Sequence, residues 1–368
     1  MIGSSNQFSP LLIEWSERIT GVRPRTGPVH LTGPETPGEN RELGRIISVG
    51  GGKGGIGKSF LTTNLGMLLA GRGHRVVLVD LDLGGPNLHT FFGCSSVESG
   101  VGDFLSRSVE RLDQAATPTG VANLSLIASC DCSFEIANLP YAQKRKIIDA
   151  VLRLPHDYVL LDLGAGTGFN TLDFFLAAGE GIFLCTPEPT SIENAFRFVK
   201  AVTLRRLKQL IKTHAFTAIT REAADRVREG VTAPADLIDV VLRHDPDRKP
   251  FLEQMLSELK FNLVLNQVHP RVDPTLGYRI VKVCNRHLHS KFSFLGNVNY
   301  DEQVREAILA RRPYVDRCSQ TMTAVDLKNL AAKLADIGNG PTTGELHETA
   351  ARAIALRRAG RVPQRIGL

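Results

Sequence analysis

The stretch Gly52 to Ser59 reads GKGGIGKS and fits the pattern GxxxxGK[ST]. That spacing suits phosphate binding. Glycines without Cβ atoms let successive backbone N–H groups curl around an anion, a lysine reaches the outer phosphates, and a hydroxyl ligates Mg²⁺. Gly52, Gly54, Gly55, Ile56, Gly57, Lys58, Ser59 and Phe60 are therefore the candidate nucleotide-binding residues, with Lys58 serving the β- and γ-phosphates and Ser59 the metal. Lys53 is a second lysine that an ordinary phosphate loop does not need. Three aspartates stand at the ends of apolar runs elsewhere: Asp80 and Asp82 in VLVDLDLGGPN, and Asp162 in VLLDLGAG. No strong general base stands out, which suits slow turnover and a switch.

These residues need a scaffold that brings them together. From Arg45 onward, short apolar runs alternate with helical patterns. RIISVG, RVVLVD, LSLIAS, YVLLDL, GIFLCT, FNLVLN and KFSFLG read as strands. Helical patterns fall at 57–70, 140–153, 168–179, 190–212, 275–288, 300–311 and 321–337. Near-continuous apolar strands joined by helices predict an α/β fold, a mainly parallel sheet with helices on both faces. Such sheets bind ligands at their carboxyl edge, which is where the phosphate loop, Asp80 and Asp82 would meet. The helix starting after Gly57 would add its positive end.

Around this core, residues 1–20 hold one candidate helix capped by Ser9, and 21–44 form a linker with four prolines and five glycines. The phosphate-loop domain is expected over 45–337, with a charged helical insertion at about 213–260 broken by Pro234 and HDPDRKP. Residues 338–368 read as a basic C-terminal helix or tail, with five arginines and no acid from Ala350 onward. A length of 368 residues with 42% apolar and 22% charged residues excludes a disordered, fibrous or disulfide-dependent chain. No apolar run approaches the roughly 20 residues that a membrane span needs. The start MIGSSNQFSP lacks the features of a signal peptide, and six cysteines without a CxxC pair read as reduced thiols. A cytoplasmic protein is expected.

KGGIGKS resembles the deviant Walker A motif of the MinD/ParA/Mrp/NifH superfamily of P-loop ATPases. In that family the earlier lysine crosses a sandwich dimer to the partner's nucleotide. Carried to Lys53, this implies an ATP-dependent homodimer whose sites are completed in trans. VLVDLDLGGPN is similar to the family's second acidic motif, which implies that Asp82 positions the attacking water and Asp80 acts nearer the metal. VLLDLGAG is similar to Walker B, which gives Asp162 the Mg²⁺ shell. TPEPTSIENAFRFVK and LGNVNYDEQVREAILARRP resemble later segments of MinD-like and FlhG-like proteins. Asn266, closing FNLVLN, matches a position whose amide often reads adenine. The resemblance covers roughly 45–336 apart from the insertion, and its core motifs are nearest the MinD/FlhG branch. It implies a catalytic set of Lys53, Lys58 and Asp82, a metal set of Ser59, Asp80 and Asp162, ATP and Mg²⁺ as cofactors, and an unidentified protein partner.

Other branches remain as alternatives. A ParA-like DNA-binding role would draw on Lys200, Arg205, Arg206, Lys208 and Lys212, on or near one helix. An iron–sulfur role would need paired cysteines, whereas Cys130 and Cys132 stand in CDC and Cys94 lies apart. Membrane contact at the inner face would use the C-terminal segment, where Leu346, Ala350 and Ile354 make a thin apolar face. NQF at 6–8 does not match the DQA motif of the flagellar proteins.

Overall fold

A computed structural model describes residues 44–94, 99–129, 139–213, 249–288 and 290–337, with isolated positions between 234 and 243. Its centre is an eight-stranded sheet in the order β3-β4-β2-β5-β1-β6-β7-β8. The strands are β1 (Arg45–Gly50), β2 (Val76–Leu81), β3 (Thr117–Pro118), β4 (Leu124–Ile127), β5 (Tyr158–Leu163), β6 (Glu180–Cys185), β7 (Lys260–Val268) and β8 (Lys291–Asn299). Every pairing is parallel except β3 with β4.

Strand side chains alternate between two cores, as the pleat requires. In β2, Val76 and Leu78 join the core under α1 (Lys58–Ala70) and α11 (Met322–Ile337). Val77 and Val79 join the core on the other face. That second face is covered by α4 (Tyr141–Val151), α5 (Phe169–Ala177), α6 (Pro189–Thr213) and α8 (Leu276–His287). With both faces covered, the inner strands have no use for alternating polarity, which is why they read as continuous apolar runs. At the amino edge, Arg45 forks onto Glu180 with contacts of 2.8 and 2.7 Å, and Asn262 donates to the same carboxylate.

The short elements α2 (Leu88–Phe91), α3 (Val101–Ser106), α9 (Gln303–Leu309) and α10 (Tyr314–Arg317) surround the sheet, with a 3-10 turn at Leu112–Ala115. Of these, only α9 lies within a helix that the sequence pattern predicts. Four to six residues are too few to establish a period. Of the insertion, the described residues show α7 (Lys249–Ser257). The N-terminal helix and linker, most of 214–248, Cys130, Cys132 and the C-terminal segment lie outside the described residues. No helix among the described residues is long and apolar enough to cross a membrane.

Candidate functional site

The loop between β1 and α1 holds the GKGGIGKS residues at the carboxyl edge of the central strand. Gly57 caps α1 with φ 93 and ψ 27, a left-handed conformation that glycine adopts without strain. Space enforces the same choice, since a Cβ there would lie 2.2 Å from the Asn266 amide nitrogen. Gly52 is equally confined, because a Cβ would come within 2.1 Å of the Asn194 carbonyl on α6.

Two side chains at the end of β7 grip this loop from below. Asn266 donates from Nδ2 to the Ile56 carbonyl at 2.8 Å, and Gln267 donates from Nε2 to the Gly55 carbonyl at 3.3 Å. Gln267 does so from a left-handed φ of 56, unusual for its type. In a trans peptide the carbonyl and the following N–H point in opposite directions. Pinning Gly55 and Ile56 carbonyls toward β7 therefore aims the N–H groups of Ile56 and Gly57 away from it, toward the loop's concave side. The sequence reading gave Asn266 to adenine. One of its two Nδ2 hydrogens is spent on the loop, which leaves the other and Oδ1.

All of α1 except Ser59 is buried, so the helix anchors the loop and leaves Ser59 at its tip. Lys58 is buried near Asp162 and Asp82. Burial pushes its ammonium below the ordinary lysine range, while the two carboxylates pull it back up. Phe60 turns into the core and meets Tyr314 edge to face, so it offers the loop only its backbone. Lys53 is exposed, with no hydrogen bond or ion pair among the described residues.

The aspartates converge on Lys58 from neighbouring strands. Asp162 sits opposite Val49 in the β1 register and opposite Asp80 in the β2 register. It accepts hydrogen bonds from Ser59 and from Thr62, the latter at 3.1 Å. Burial raises its pKa to about 6 despite those donors and Lys58. Asp80 is also wholly buried; burial and the Asp162 charge raise it to about 7. Both Asp80 oxygens are engaged by backbone: Oδ1 accepts from Asp82 N–H, and Oδ2 from Asn87 and Leu88 N–H, at 3.0 to 3.1 Å. Asp80 therefore orients the segment that carries Asp82. Asp82 is half-buried. Burial raises its pKa, and Lys58 with the N–H groups of Gly84 and Gly85 draws it down. Gly164 leaves room for it, since a Cβ there would approach Asp82 Oδ1 to 2.9 Å.

Sequence reasoning missed Thr62, Asn194 and Gln267. Thr62 had a visible signal, being one turn beyond Ser59 on the same helix. Asn194 acts through a backbone carbonyl, and no side-chain type announces that. Among the members of the basic set on α6 whose burial is described, no exposed patch forms. Arg205 is bound to Asp173 and Arg206 is partly buried, leaving Lys208 as the exposed member among those whose burial is described.

A glycine loop between a central parallel strand and a buried helix, facing two strand-end carboxylates, defines a phosphate-loop nucleotide-binding domain. Comparison with known proteins narrows the class. A ParA-type family model described as NUBPL iron-transfer P-loop NTPase matches residues 42–210. A putative septum site-determining protein MinD of Nephroselmis olivacea is 31% identical over 200 residues, covering 53% of this chain and 68% of that one. The antiactivator FleN of Pseudomonas aeruginosa is 24% identical over 293 residues, covering 79% of this chain and 86% of that one. The septum site-determining protein MinD of Pyrococcus horikoshii, solved with Mg-ADP, shares the fold with a TM-score of 0.55 at 20% identity, covering 81% of this chain and 98% of that one. The chain belongs to the ParA/MinD family of P-loop ATPases.

Proposed function

We propose that this protein is an ATP-driven dimeric switch of the MinD/FleN type, hydrolysing ATP to ADP and phosphate and controlling the placement or regulation of a cellular assembly such as a division site or flagellum. The observation that carries this reading is Lys58, buried at the base of a glycine loop between Asp82 and Asp162. The loop's N–H groups and the α1 N-terminus would hold the β- and γ-phosphates, with Lys58 supplying the charge.

The residues present fit Mg²⁺. Asp162 and Asp80 are buried carboxylates whose pKa values are raised by burial, which Lys58 and hydroxyl donors at Asp162 and backbone N–H donors at Asp80 do not fully offset, and at Asp80 also by the Asp162 charge. Ser59 is hydrogen-bonded to Asp162 at the helix tip. Among the described residues no group of three His, Cys, Asp or Glu side chains could hold a metal alone. Ser59 would hold Mg²⁺ directly and Asp162 through its shell; when bound, it neutralises charge on the β- and γ-phosphate oxygens. Asp82, fixed by Asp80, would orient the attacking water. Lys53 is free to reach the nucleotide of a second copy. Catalysis then rests on positioning and charge stabilisation.

The test uses Asp82→Ala, which keeps the phosphate cradle. It should bind Mg·ATP, turn over at least about a hundredfold more slowly and accumulate as a dimer in light scattering after size exclusion. Adding Lys53→Ala should abolish that dimer while ATP binding survives. An equal ATP-induced dimer in both would remove Lys53 from the site of the second copy. Unchanged calorimetric Mg·ATP affinity in Lys58→Ala would overturn the phosphate-loop reading itself.

A further inference from the structure

The helix that follows the phosphate loop is fastened to a part of the chain that supplies no catalytic group. Helix α10 packs on α1: the wholly buried Tyr314 ring meets Phe60 with centroids 5.7 Å apart, and the Val315 N–H donates to Asn64 Oδ1 at 2.9 Å. Asn64 is itself fixed, donating from Nδ2 to the Phe60 carbonyl at 2.7 Å. The Tyr314 hydroxyl donates to Asp301 Oδ2 at 2.6 Å and lies 2.5 Å from the Thr321 hydroxyl. Burial and the Asp301 carboxylate push this phenol well above its ordinary range, so it remains a donor. Asp301 Oδ1 accepts from the Gln303 N–H at 2.8 Å, at the start of α9. Tyr300, one residue earlier, stands in the turn beyond the end of β8. Its N–H donates to the Val268 carbonyl at 3.0 Å, and its ring stacks on His269 with centroids 4.4 Å and planes 26° apart. Both rings are exposed. Since Gln267 holds Gly55, the contacts close a circuit from the loop through β7, Tyr300, Asp301 and Tyr314 back to Phe60 on α1.

We propose that Tyr314 is a positioning residue for the nucleoside, fastening through Asp301 the turn that carries Tyr300 to the helix of the phosphate loop. This rests on the reading of the loop as an ATP site and adds what sets the spacing between the two ends of that site. Asp82 and Asp162 follow β2 and β5 on one side of β1, whereas β6, β7 and β8 lie on the other. A nucleotide whose outer phosphates face those carboxylates extends its nucleoside over the ends of β7 and β8, beside the His269–Tyr300 pair. Its two ends are then held by separate pieces of chain. Affinity gains from both only where their spacing is fixed before binding. Tyr314 fixes it, with its ring on α1 and its hydroxyl on the turn. A ring that serves the core alone has no need of a hydroxyl, whose burial costs free energy unless it is paired. Here the hydroxyl is spent on a carboxylate in the turn.

Calorimetry on the full chain with Mg·ATP and with Mg·tripolyphosphate tests this, because the second ligand keeps the phosphates and lacks the nucleoside. Tyr314→Phe keeps the ring and removes the hydroxyl. It should bind Mg·ATP about three- to tenfold more weakly, the scale of one hydrogen bond, and bind tripolyphosphate as the wild type does. Asp301→Ala should also weaken Mg·ATP binding. Adding Tyr314→Phe to it should cost no further affinity, because the two residues act as one unit. Lys58→Ala keeps the two readings apart, since it should lose both ligands. If it does, and Tyr314→Phe leaves the ratio of the two affinities unchanged, the positioning role is overturned and the phosphate-loop reading stands. That holds whether both affinities stay or fall together, and whatever the melting temperature of the variant. Additive losses in the double variant overturn the role as well. Full binding of both ligands by Lys58→Ala overturns the phosphate-loop reading and the positioning role with it.

Discussion

Asp173 and Asp162 are both buried aspartates of one domain, and their surroundings follow opposite rules. Arg205 meets Asp173 with two contacts of 2.7 and 2.8 Å, Lys144 bonds to the same carboxylate, and Gln209 adds a donor at 3.2 Å. Burial pushes the Asp173 carboxyl up, but those donors and charges outweigh it and hold it below the ordinary range. Asp162 has hydroxyl donors and one lysine, and it shares its neighbourhood with Asp80 and Asp82, so its pKa rises. The first cluster is complete without a ligand and ties α4, α5 and α6 together. The second is short of positive charge. A buried acid whose charge is left under-compensated points to a site, whereas a fully compensated one points to a staple.

The largest effect that can break this contrast is on stability. Asp173→Ala leaves Lys144 buried without its partner and should cost about 3–5 kcal/mol in urea unfolding, with Mg·ATP affinity unchanged. A loss of affinity on that scale would make Asp173 part of the nucleotide site. Asp162→Asn should do the reverse. Mg²⁺-dependent ATP affinity should fall about tenfold or more, while the nucleotide-free protein melts a few degrees higher because a poorly compensated charge is gone. A lower melting temperature would place Asp162 among the staples.

The two aspartates should also differ in the sign of their pH dependence. Asp173 has a folded pKa below its unfolded value of 3.8. Its contribution is present above that value and is lost as pH falls through the depressed folded pKa. Asp162 has a folded pKa raised to about 6, so without nucleotide it lowers stability as pH climbs from the ordinary carboxylate range toward that value. Chemical denaturation from pH 3 to 7 should show Asp173→Asn with a flatter acid limb and Asp162→Asn with a flatter rise-side loss. Coincident profiles for the two variants would erase the distinction. The smallest effect is expected at Asn266→Ala, which frees the Ile56 carbonyl and should weaken ATP binding about three- to tenfold. Equal affinity would leave the grip of β7 on the loop without consequence for the ligand.

The sequence made the strands of the inner sheet legible because they are buried on both faces and apolar throughout. It made Gly52–Ser59 legible because their spacing has one well-defined physical use. The elements α2, α3 and α10 and the two-residue β3 escaped because they are too short to establish a period. The charge of α6 reads differently along the chain and in space. Lys200 to Lys212 look like a basic face when counted along the chain, but Arg205 is neutralised by an aspartate 32 residues earlier. The grip on the phosphate loop was equally hidden: it joins Ile56 to a residue 210 positions away and depends on a carbonyl that every residue type possesses.

That grip changes what the eight-residue motif amounts to as a physical object. Gly57 sits where an Asn266 amide nitrogen leaves no space for another atom, and Gly52 sits under the carbonyl of Asn194. The loop's curvature is thus shared property of β1, α6 and β7. Grafted onto another scaffold, GKGGIGKS would bring its glycines but not the surfaces that make glycine necessary. In this chain, positions 57 and 266 form a single unit of inheritance: a side chain gained at one requires space surrendered at the other, and the two can drift only together.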